Sequence, residues 1–135
     1  MSGKQIIDEF IAQDDIPTAA PSGAVGIDLS VAYQHHTARP DKWLVQATVS
    51  VAPSDLFVWG ALAFGSPDDA SDDVWAVHND KYGRVLAGKL GTALAVGSHA
   101  FIVTDVGVYA RLYFQKSAGT VNVKIAPIYH GKRGS

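Results

Sequence analysis

Four stretches of this chain alternate between apolar and polar residues with a period of two, and that rhythm restricts the fold more than any other feature. Val25, Ile27, Leu29, Val31 and Tyr33 alternate with Gly26, Asp28, Ser30, Ala32 and Gln34. Trp43, Val45, Ala47, Val49 and Val51 alternate with Leu44, Gln46, Thr48 and Ser50. Within 106–115, Val108, Ala110, Leu112 and Phe114 read as inward, with Tyr109, Arg111 and Tyr113 on the opposite face. In 120–129, Val121, Val123 and Ile125 alternate with Asn122 and Lys124. Successive side chains of a strand point to opposite faces, so each stretch predicts a strand with one buried and one wetter face.

Further strands fill the gaps. Residues 56–64 are apolar on both faces, which predicts a strand covered on both sides, by a second sheet or by another subunit, with Trp59 in the core. Shorter strands are expected at 74–77 and 99–104, and short strand pieces and turns at 84–97, where Gly88, Gly91 and Gly97 discourage a long helix. Lys116-Ser117-Ala118-Gly119 has the chemistry of a compact hairpin connection. Pro127 lacks a ladder donor and places the end of the last strand at an edge or bulge. Twelve Asp residues against a single Glu, Glu9, fit strands joined by turns, because Asp bonds to nearby backbone while Glu suits helix interiors. In 135 residues this amounts to one domain of about seven to eight strands, an antiparallel β-sandwich or barrel.

The first 23 residues read differently from the β domain at 24–135. Ile6, Ile7, Phe10 and Ile11 fall at offsets of one helical face, Ser2 can cap its start, and Asp8 and Glu9 suit the positive end of a helix dipole. A short N-terminal helix over 4–13 is therefore expected, ended by Pro17. A helix of about ten residues is marginal alone, so its apolar stripe packs on the chain's own sheet or acts as an arm on a neighbouring subunit. Residues 17–23, Pro-Thr-Ala-Ala-Pro-Ser-Gly, make a Pro/Ala/Gly linker with no apolar anchor, expected to be extended.

Few chemistries remain open. The chain has no cysteine, which excludes disulfides, thiolate metal sites and thiol catalysis. Eleven basic against thirteen acidic residues argue against binding nucleic acid by phosphate neutralisation. No apolar run approaches the roughly 20 residues of a membrane span, and Met1-Ser2-Gly3-Lys4-Gln5 leads into a charged segment without a signal peptide, so synthesis in the cytoplasm is expected. Nucleophile elbows and phosphate-binding glycine loops are missing. His35 and His36 are adjacent and point apart on an extended chain, while His78, His99 and His130 are scattered. Asp68, Asp69, Asp72 and Asp73 come as adjacent pairs without the glycine of a calcium loop and read as a solvated acidic loop. No cofactor, metal or catalytic residue is expected. Two surfaces stand out. Ile6, Ile7, Phe10 and Ile11, with Tyr109, Arg111 and Tyr113, combine apolar, aromatic and Arg side chains enriched at protein interfaces. Trp43 and Trp75 lie near strand ends, where partial exposure would let them stack on a carbohydrate or other ligand.

The layout of N-terminal arm, Pro/Ala/Gly tether from Ile16 to Gly23 and short cysteine-free β domain resembles small virion structural proteins of tailed bacteriophages, the capsid decoration or cement proteins above all. The resemblance rests on layout alone and carries no motif residue with it. It implies a symmetric homo-oligomer, commonly a trimer, that joins neighbouring capsid subunits in a virion. A carbohydrate- or ligand-binding β-sandwich using Trp43 and Trp75 is the alternative expectation.

Overall fold

The computed structural model describes residues 10–23, 25–29, 40–62, 74–77, 89–107 and 109–128. These residues are mainly β, with nine strands in two antiparallel sheets of sandwich-like layout. The first sheet runs β1 (Ile11–Gln13), β9 (Thr120–Ile128), β3 (Lys42–Val51), β7 (Gly97–Val103). The second runs β2 (Ile27–Asp28), β8 (Arg111–Lys116), β4 (Ser54–Leu62), β5 (Val74–Val77), with β6 (Lys89–Leu94) also paired to β4.

The alternation read from the sequence places the core. Trp43, Val45, Ala47 and Val49 of β3 are buried and pair with β9, whose Val121, Val123 and Ile125 are buried beside them. From the second sheet Leu56, Val58, Leu112 and Phe114 enter the same cluster. Each such side chain contributes about 1.5–3 kcal/mol by leaving water. Val51, expected inward, is 55% exposed, because the β3–β9 register shifts between Val49 and Val51 and turns it out.

Short links carry the chain from one sheet to the other. The expected hairpin at 116–119 is one of them: β8 and β9 belong to different sheets, so the turn crosses between layers and does not pair its flanking strands. Gly119 sits there at φ 76°, and a Cβ would strike the Val51 carbonyl, so only glycine fits. Asp55 organises this end of the molecule. Its backbone N–H donates to Ser117 Oγ at 2.8 Å, its carbonyl accepts from the Ser117 N–H at 3.1 Å, and its carboxylate accepts from the Ala93 N–H at 2.7 Å and Lys89 Nζ at 3.2 Å.

The N-terminal helix is not found among the described residues. Ile11, Ala12 and Gln13 form β1 instead, opposite Ile125, Lys124 and Val123 of β9. The helical spacing of Ile6, Ile7, Phe10 and Ile11 is overridden at its end because the free edge of β9 satisfies the backbone of 11–13, and residues 1–9 lie outside the described residues. Loop 65–73, with Asp68, Asp69, Asp72 and Asp73, lies outside them too, as do His35, His36, His78 and His130.

Candidate assembly surfaces

The segment that follows β1 runs from one sheet to the other. Asp15, at φ 46°, turns the chain, with its N–H donating to Asn122 Oδ1 at 2.7 Å and its carboxylate holding Lys116 Nζ at 2.5 Å. Ile16 then drops wholly into the core, its N–H donating to the Val121 carbonyl at 2.9 Å. The linker had no apolar anchor of its own, and Ile16 supplies one directly before it. Beyond Ile16 the linker carbonyls are collected one by one. Pro17 accepts from the Lys116 N–H at 2.9 Å, Thr18 from Gln115 Nε2 at 2.8 Å, Ala19 from Tyr113 Oη at 2.7 Å and Gly23 from Trp75 Nε1 at 3.1 Å. Residues 17–23 thus form a strap over the outer face of the second sheet.

This arrangement accounts for several predicted site residues. Tyr113, read as half-wet, is 6% exposed beneath the strap, edge-on to Trp75 with ring centroids 5.8 Å apart, and burial raises its hydroxyl pKa. Arg111 is buried as well. Tyr109 does not share their face: it precedes β8 and packs on the core side, where a Cβ at Gly60 would lie 2.5 Å from its ring. Burial first, and the Asp105 charge second, raise the Tyr109 pKa. Trp43, expected at a partly exposed strand end, is fully buried, so it offers no stacking face, and its indole N–H finds no acceptor among the described residues. Trp59, expected in the core, is half-buried on the outer face, donating to Gln115 Oε1 at 2.9 Å. Among the described residues no further sheet closes the outer face of β4; Phe57 is half-buried beneath the Lys89 ammonium 5.5 Å from its ring centre.

The outer face of the first sheet is the second surface. The register sets Ile102, Leu44 and Ala126 side by side across β7, β3 and β9, an apolar row. The next rows, Ala100–Gln46–Lys124 and Ser98–Thr48–Asn122, are mostly polar. Ile102 is 61% exposed and Phe10 is 50% exposed, the latter with Lys124 Nζ 5.2 Å above its ring. Phe10, Leu44, Gln46, Lys124 and Ala126 line a cleft of about 200 Å³ on this face. Of the residues on this face, the sequence expectation named Phe10 and did not name Leu44, Ile102 or Ala126. The available signal was Leu44, the one large apolar residue on the polar side of β3.

The row ends at β7, which has a strand partner only on its β3 side among the described residues. Its sequence, Gly-Ser-His-Ala-Phe-Ile-Val, contains no Lys, Arg, Asp, Glu or Pro. Edge strands are ordinarily protected by such residues, since an open ladder recruits other chains. His99 is engaged locally, its Nε2 2.8 Å from the Ala95 carbonyl. Among the described residues no three His, Asp or Glu side chains come together as a metal site would require. No protein-family model, curated protein or solved structure matches this chain.

Proposed function

We propose that this protein is a non-enzymatic structural subunit that assembles with copies of itself, as a homo-oligomer within a larger protein assembly. The observation that carries the reading is the edge of β7, open among the described residues, with the apolar row Ile102–Leu44–Ala126 ending on it. Among the described residues this uncharged seven-residue edge has no strand on its outer side and offers its N–H and C=O groups to a second chain, while Ile102, 61% exposed beside half-buried Leu44, supplies apolar surface to bury. The layout resemblance to capsid decoration proteins points to a trimer that joins neighbouring subunits of a virion shell. The ligand-binding alternative loses support, because Trp43 is inside and the polar tips of Trp75 and Tyr113 are engaged by the chain's own carbonyls.

The test is mass in solution across micromolar to millimolar concentrations, for the natural chain and for Ile102→Lys. A 61% exposed side chain tolerates lysine without cost to the fold of the single chain, so the variant melts like the natural chain in dilute solution but does not assemble. A natural chain that stays monomeric throughout, or an Ile102→Lys variant that assembles equally well, overturns the proposal.

A further inference from the structure

We propose that the surface built by β8, β9 and Trp75 is an acceptor site for residues 10–23 of a second copy of this chain, so that subunits in the assembly exchange arms. The inference rests on the assembly reading and names the surface and occupant through which copies are joined.

Among the described residues the side chains that hold the arm come from far along the chain, and the one local bond is from the Val25 N–H to the Gly23 carbonyl at 3.0 Å. Asp15 is bound by Asn122 and Lys116, Ala19 by Tyr113 and Gly23 by Trp75, separations of 107, 101, 94 and 52 residues. The contacts of Asp15 and Ala19 therefore form whether the arm belongs to the same chain or to another. Exchange keeps the contacts of residues 10–19 and opens the link at 22–26, giving up the Val25–Gly23 bond and the close fit of Gly26 against Leu112 and Trp75. Gly23 has φ 71° with open space where a side chain would be, Val25 is exposed, and Gly26 has φ 92°. Five residues that open to an extended path span roughly 17 Å. The tip of the arm also reaches the proposed assembly face, since Phe10 lines the cleft with Leu44 and Ala126. An exchanged arm thus carries an aromatic side chain of one copy into the interface face of the next. A short linker gives the cis arrangement a millimolar effective concentration, so exchange follows when the faces have already brought copies together.

The natural absence of cysteine makes the test direct. Ala12 and Lys124 are both exposed and directly opposite in the β1–β9 ladder, with the spacing a disulfide needs. Full-length Ala12→Cys and Lys124→Cys chains are co-refolded at a concentration where the natural chain is oligomeric by mass, then mildly oxidised. Exchange predicts covalent heterodimers well above an off-register control pairing Ala12→Cys with Thr48→Cys chains. It also predicts that the Ala12→Cys/Lys124→Cys double variant locks into a covalent ring whose size counts the subunits. A double variant that closes only within single chains, with no heterodimer above control, overturns the exchange. If those unlinked chains are nonetheless oligomeric by mass, the assembly reading stands without it; if they are monomeric at every concentration, both fail.

Discussion

Replacing Ile16 by Ala measures how far the N-terminal segment belongs to the folded body. Ile16 has no exposed surface, and it lies where the chain passes from the edge of the first sheet to that of the second. Deleting the outer part of a fully buried isoleucine removes its transfer free energy and leaves a cavity between elements that β9 and β8 hold fixed, a cost of about 2–5 kcal/mol. For a domain of this length each kcal/mol lowers the melting temperature by roughly 3–5 °C, so the variant is expected to melt about 6–25 °C lower. The assay is two-state thermal unfolding by far-ultraviolet circular dichroism, with Val25→Ala as the comparison. Val25 is 37% exposed, and its truncation is expected to change stability by no more than about 0.5 kcal/mol. Because Ile16 is buried whichever chain it belongs to, arm exchange does not change this expectation. A melting temperature within about 2 °C of the natural chain would refute the argument, since it would mean that Ile16 leaves the core without consequence.

Other outcomes follow from single contacts. Tyr113→Phe removes the hydroxyl that donates to Ala19 and is expected to lower stability by about 1 kcal/mol in urea titration, with faster amide exchange in residues 17–23. Gly60→Ala sets a methyl group against the Tyr109 ring; overpacking of this kind costs about 1–3 kcal/mol, and Gly60→Ala combined with Tyr109→Ala should lose less than the sum of the two single changes. The Asp55 carboxyl pKa is held below its ordinary value, first by the Ala93 N–H and then by Lys89. A depressed native pKa means that its contribution is fully present above the unfolded value near 4 and lost as pH falls through the native value. Asp55→Asn is therefore expected to lower the melting temperature at neutral pH and to converge on the natural chain in strong acid; equal differences at both pH values would contradict the assignment.

Where burial follows a local rhythm, the sequence revealed it. Trp43 through Val49 and Val121 through Ile125 alternate because each strand has one face on the core, and the same parity puts Leu112 and Phe114 inside. Readings failed where distant partners decide. Three residues of β1 are too few to display a period, and the β9 edge chose strand over helix for them. The turn chemistry at 116–119 serves equally well to close a hairpin or to cross between sheets. The candidate surface was harder still. Ile102, Leu44 and Ala126 become neighbours only through the registers of β7 and β9 on β3, and registers join residues too distant in sequence to leave a local mark. Tyr113 illustrates the opposite error: its parity was right, but a strap from 94 positions away covers the face that parity exposed.

The claim that copies join along β7 is tested most directly by amide hydrogen exchange of the natural chain at low and at high concentration. The account predicts that the β7 amides not donated to β3 exchange quickly in dilute solution and become protected as concentration rises, with protection lost in Ile102→Lys. Exchange at those amides that is independent of concentration while the measured mass increases would contradict it, and would move the interface elsewhere on the molecule.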